Sequence, residues 1–150
     1  MTSTRVSFWI LVALATMGAT CDALAPKDYD RYSSASGLLV GEGDPDVGRA
    51  VFLDLSCHAC HEADRLTLPP IPPELDPKIA LGGVVEELPS DGYLATAIVN
   101  PSHDLAESYP RELVSESGRS RMTDYGDFIT VRKLRDLVAF LHTRYRLPEP

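Results

Sequence analysis

The sequence predicts an all-α protein with one folded domain, and three observations carry that expectation. Apolar residues recur at helical spacing in three separate segments, within residues 44–55, 90–101 and 130–148. Each segment opens on an Asp, Ser or Thr able to cap a helix, and a proline stands beyond the end of the second and the third. No stretch shows the apolar–polar alternation of a strand pattern. The 150 residues, 44% of them apolar, suffice for one packed core plus a short extra segment, and fall short of a multi-span membrane protein. A formal net charge of −8, with pI near 4.9, disfavours nucleic acid as a partner.

Residues 1–20 read as an export signal. Arg5 is their only charge, and the apolar stretch "VSFWILVALATMGA" follows it, too short for a comfortable membrane span. Removal of this segment takes away Arg5 alone and brings the formal charge to −9. Cys21 falls just after the apolar stretch, in "LATMGATCDA". This resembles a bacterial lipoprotein signal, which implies that Cys21 becomes a lipidated first residue and a membrane anchor. The rival is ordinary cleavage after "ALA" at Ala25, in which case Cys21 is discarded. Residues 21–45, rich in small, polar and glycine residues, read as a flexible arm that fully stretched spans about 80 Å. "GLLV" at 37–40 could instead dock on the domain.

The domain is expected over residues 46–146. Its first helix starts between Asp44 and Val47, with Pro45 and Asp46 suited to the first turn. Val47, Ala50, Val51 and Leu55 form its apolar stripe, with Phe52 beside them. From Thr67 to Pro89 the six prolines of "TLPPIPPELDPKIALGGVVEELP" exclude a long helix. This segment is expected to be an extended wrap anchored by Leu68, Ile71, Leu75, Ile79 and Leu81. A second helix fits "SDGYLATAIVNP", capped by Ser90 or Asp91 and stopped at Pro101. Residues 101–129 read as irregular. The last helix, in "TVRKLRDLVAFLHTRYRLP", is capped by Thr130 and carries the stripe Val131, Leu134, Leu137, Val138 and Leu141.

The first helix leads directly into "CHACH" at 57–61. Two thiols three apart on a helical turn point the same way. They can form thioethers with the two vinyl groups along one edge of a haem, while the next residue, a histidine, faces the iron. C-x-x-C-H is therefore read as a c-type haem attachment site, with Cys57 and Cys60 as the thioethers and His61 as an axial ligand. Covalent attachment suits an exported protein, since haem held only by packing could be lost outside the cell. A zinc site lacks the second half of its ligand set. A dithiol redox site lacks its αβ chain, and a disulfide between residues three apart would staple almost nothing.

Beyond the leader one methionine remains, Met122, in "SGRSRMTDYGDFIT". It is the candidate sixth ligand. A thioether favours ferrous iron, raises the reduction potential and blocks small oxidants from the metal. Its polar neighbours, Arg121 and Thr123, argue against a plain core position. The alternatives are His103, which reads as a solvated loop residue, and His142, on the polar side of the last helix. His58, inside the attachment turn, reads as exposed. The other ring nitrogen of His61 needs a partner; a backbone carbonyl is expected, with the proline-rich wrap the natural source, Leu68–Pro72 one place for it and the residue left open. Arg119 and Arg121 either reach a haem propionate or stay in solvent.

Taken together, "CHACH", the downstream Met122 and the terminal helix pair resemble class I c-type cytochromes over roughly residues 46–146. The resemblance implies an all-α single domain around one haem, with the first and last helices packed through Gly48 and Phe52 against Leu137 and Phe140. It implies haem-binding roles for Cys57, Cys60, His61 and Met122. The function it implies is single-electron transfer in the periplasm or on the outer face of the inner membrane, without a substrate of its own. The partner is expected to be a redox protein with a basic or mixed docking patch, held weakly enough for fast release. A dedicated haem subunit of a larger periplasmic oxidoreductase, for instance in sulfur-compound oxidation, is the rival reading. A haem peroxidase needs an open iron site, which a bound Met122 excludes.

Overall fold

A computed structural model describes residues 41–72 and 75–150. The export signal, Cys21, the arm as far as residue 40 and the docking of "GLLV" lie outside the described residues.

The first helix, α1 (Pro45–Asp54), starts because the Asp44 carboxylate accepts from the Asp46 and Val47 N–H groups and Pro45 takes the first helical position. The second, α2 (Asp91–Val99), is capped by Ser90 Oγ, which accepts from Tyr93 N at 3.1 Å. The longest, α4 (Val131–His142), is capped by Thr130 Oγ1 on Lys133 N. A short α3 (Arg111–Val114) lies between them.

α1 packs on α4 with backbones in close approach. Gly48 permits it: a Cβ there would lie 1.9 Å from the Asp136 carbonyl oxygen and 2.7 Å from Phe140 Cβ. The Phe52 and Phe140 rings meet beside this crossing, centroids 5.4 Å apart. Phe52, 1% exposed, gains about 2–3 kcal/mol from burial. Leu134, Leu137, Val138 and Leu141 from α4, with Leu94 and Ile98 from α2, complete the core. Val47 and Val131 begin their predicted stripes yet are exposed, since each sits in the first turn of its helix.

The all-α expectation is overturned. About 35% of the structure is helix and 13% strand, spread over several small sheets, so the protein is mixed α/β. A 3₁₀ turn at Cys57–Ala59 is followed by β1 (His61–Ala63), which pairs in parallel with β2 (Ile79–Leu81). Next, β3 (Gly83–Val84) pairs in parallel with β6 (Tyr145–Arg146) beyond α4. A hairpin joins β4 (Ser115–Glu116) to β5 (Arg119–Ser120) through Ser117 and Gly118, both at positive φ as a type I′ turn requires. Ladders of two or three residues are too short to leave an alternating signature, which is why the sequence pattern missed them. Among the described residues, no helix is long and apolar enough to cross a membrane.

Candidate haem site

The Cys57–His61 segment is set by what flanks it. Ser56, at φ 55, turns the chain off the end of α1 into the 3₁₀ turn. Cys60 N donates to the Cys57 carbonyl at 3.2 Å, which places the two cysteines on one tight turn. The proline-rich wrap then returns alongside. Leu75 N donates to the Ala59 carbonyl and Ile79 N to the Cys60 carbonyl, both at 2.9 Å. The segment expected to be an extended wrap is therefore the strap that fixes the turn.

His61 opens β1 opposite Ile79. Its Nδ1–H donates to the Ile79 carbonyl at 3.3 Å. The carbonyl partner thus comes from the proline-rich wrap, as expected, at Ile79 on β2 and beyond Leu68–Pro72. This bond leaves Nε2 as the free ring nitrogen. Burial pulls the His61 pKa below its usual value, with the Ile79 carbonyl opposing, so the imidazole stays neutral and its lone pair available to a metal. Burial pushes the Cys57 thiol up to about 12.

Cys57, Cys60, His61 and Met122 all line one cavity of about 800 Å³. That volume lies toward the upper end of what a bound organic cofactor needs. Its walls are largely apolar, from Phe52, Leu81, Leu94, Ile98, Leu137 and Leu141. Cys57 is half-buried and Cys60 exposed, so the attachment turn borders both cavity and solvent. Met122 comes from the chain leaving the β4–β5 hairpin: Arg121 N donates to the Val114 carbonyl at 2.9 Å and Met122 N to Ser120 Oγ at 3.1 Å. Among the described residues, no three His, Cys, Asp or Glu side chains converge as a metal-ligand set.

The other candidates separate clearly. His103 is exposed, its Nδ1 on the Asn100 carbonyl at 3.2 Å. His142 is half-buried and bound to Asp91 through Nε2 at 2.6 Å, which ties α4 to the start of α2. Neither lines the cavity. The expectation for His58 is corrected: it is 7% exposed, its ring 6.4 Å from that of Phe52, because the 3₁₀ turn folds it back over α1. Its Nδ1 has no hydrogen-bond partner among the described residues. Arg121 lines the cavity and donates to the Glu112 carbonyl, whereas Arg119 lies outside the lining, exposed on β5.

Sequence reasoning passed over the four tyrosines on the cavity wall, Tyr93, Tyr109, Tyr125 and Tyr145. Tyr109 accepts from Ala80 N at 2.8 Å, beside Ile79. Tyr125 donates to the Leu55 carbonyl at 3.0 Å, and burial raises its hydroxyl pKa above the usual phenol value. The signal for Tyr125 was its place three residues after Met122. No family model, curated protein or solved structure matches the chain.

Proposed function

We infer that the chain is a monohaem c-type cytochrome that carries single electrons between redox proteins outside the cytoplasm. The observation that carries this reading is the convergence of Cys57, Cys60, His61 and Met122 on one apolar cavity. The donor set suits the group: two thiols on one turn for thioether bonds, a neutral imidazole oriented by Ile79, and a thioether sulfur on a separate loop. When bound, a haem would supply the one-electron iron couple. Cys57 and Cys60 would hold it covalently, His61 and Met122 would bind the metal, and the apolar wall would exclude water and raise the potential. The exposure of Cys60 puts the point of attachment where a partner can approach.

The matured protein is expected to give the reduced pyridine spectrum of a haem whose two vinyl groups are saturated. The double variant Cys57→Ser/Cys60→Ser is expected to lose all colour that resists acidified acetone. Colourless wild type, or pigment extracted from it by acid acetone, overturns the assignment.

The acidic balance bears on the partner, a redox protein with a basic or mixed patch, met from the periplasm or from a membrane surface to which lipidated Cys21 would tether the chain. Coulomb attraction across exposed surfaces weakens as the Debye length falls from about 30 Å at 0.01 M salt to about 8 Å at 0.15 M. Electron transfer to a basic partner should therefore slow at least severalfold across that range. A rate independent of salt in stopped-flow mixing would remove the electrostatic part of this reading.

A further inference from the structure

On its hairpin side the Met122 loop is held by Arg121, whose N–H donates to the Val114 carbonyl at 2.9 Å and whose guanidinium donates to the Glu112 carbonyl at 3.2 Å. Met122 N–H donates to Ser120 Oγ within the same hairpin arm, and Arg121 and Thr123 on either side are exposed. Three residues on, Tyr125 makes a contact across 70 positions of chain: its hydroxyl donates to the Leu55 carbonyl at 3.0 Å. Leu55 is the C-cap of α1 and stands two residues before Cys57. Carbonyls at a helix end lack intrahelical partners, so this acceptor is available to a side chain. The Tyr125 ring lines the cavity together with Met122 and meets Phe128 edge-on at 5.3 Å.

The backbone of Tyr125 is fixed as well. Its carbonyl accepts from Phe128 N at 3.2 Å and Ile129 N at 2.9 Å, which joins it to the turn before α4. The next residue, Gly126, is pressed against the end of α2, where an added Cβ would lie 2.8 Å from the Val99 carbonyl oxygen. Tyr125 is thus the point at which the methionine loop meets the ends of α1 and α2 and the start of α4.

We propose that Tyr125 is a positioning residue for Met122, its hydroxyl pinning the methionine loop to the segment that carries Cys57 and His61. The proposal rests on the cytochrome reading above. The hydroxyl contributes one partly buried hydrogen bond, and without it the loop opens more often and Met122 leaves the cavity wall more often.

The test is Tyr125→Phe in the full, matured protein, which keeps the ring and removes the hydroxyl. Lys133→Met is the control, since it breaks the exposed Lys133–Asp54 pair between α4 and α1, away from the cavity. In Tyr125→Phe, cyanide is expected to bind the ferric protein about fivefold faster, the ratio set by one typical net hydrogen bond. The long-wavelength charge-transfer band of methionine-bound ferric haem should weaken and the potential should fall, at unchanged covalent haem content. Lys133→Met should match wild type in all three. Wild-type band and cyanide rate in Tyr125→Phe overturn the proposal, and so does an equal change in both variants. Should Tyr125→Phe not fold, hydrogen exchange of the wild type decides. Amides at 121–124 opening together with those at 56–60 support the pin, and independent opening overturns it. A wild type without covalent haem sinks the functional reading itself. A wild type with covalent haem but no methionine band leaves that reading standing and sinks this one.

Discussion

Met122→Ala is expected to lower the reduction potential by on the order of a few tenths of a volt, a part of the roughly 0.8 V over which axial ligands act. A thioether is soft and stabilises ferrous iron, so its loss favours the ferric state. The same substitution should open the metal to cyanide and carbon monoxide. The side chain is half-buried at the cavity wall, and its loop is held by the hairpin and by Tyr125 rather than by the thioether. The fold should survive with a loss smaller than the about 2–5 kcal/mol that deletion of a fully buried Met side chain costs. Redox titration and ligand-binding kinetics make the check. If wild type already binds cyanide and carbon monoxide as fast as the variant, Met122 is not on the iron. The double cysteine variant reads a different property, covalent retention, so the two experiments separate the attachment from the sixth ligand.

The parts of this site that were legible in the sequence are those written in short local code. "CHACH" states two sulfurs and an imidazole within five residues, and Met122 is the one methionine left beyond the leader. The three long helices were legible because their caps and their 3.6-residue spacing fall within single segments. What failed is non-local. The wrap was legible as the source of the His61 partner, but which of its carbonyls serves was left open, because the register that brings Ile79 opposite His61, 18 residues away, is set by the course of the strap. The β3–β6 pair joins residues 83 and 145, and its two-residue ladder has no periodicity to detect. The hairpin is a different kind of miss. Ser117–Gly118 is a recognisable turn dipeptide, and weighing it would have resolved part of the region read as irregular. His58 shows a third limit, since the left-handed Ser56 that precedes the turn decides which way its ring faces, and sequence spacing does not encode that.

Gly48→Ala tests the helix crossing on which the cavity is built, and the expected loss is about 3 kcal/mol, at the upper end for overpacking a close contact. The sign is what makes the experiment sharp. In an open helix the same change would stabilise by about 1 kcal/mol, because alanine is the better helix former. Here the new methyl would meet the Asp136 carbonyl oxygen at 1.9 Å and its carbon at 2.6 Å. Both are backbone atoms inside α4, and neither can yield without moving the helix. Nor can α4 shift freely, since Asp136 accepts from Asp44 N at 3.1 Å and the Phe140 ring packs tilted against that of Phe52. A loss of that size lowers the melting temperature of a domain of about 100 residues by roughly 12–24 °C. The displacement would also travel along α1 into Ser56 and Cys57, so the yield of covalently coloured protein should drop with the melting temperature. Thermal unfolding of both proteins, read alongside pigment per mole of chain, makes the comparison. A variant as stable as wild type would mean that α1 and α4 do not meet at Gly48, and the cavity between them and α2 would lose its basis.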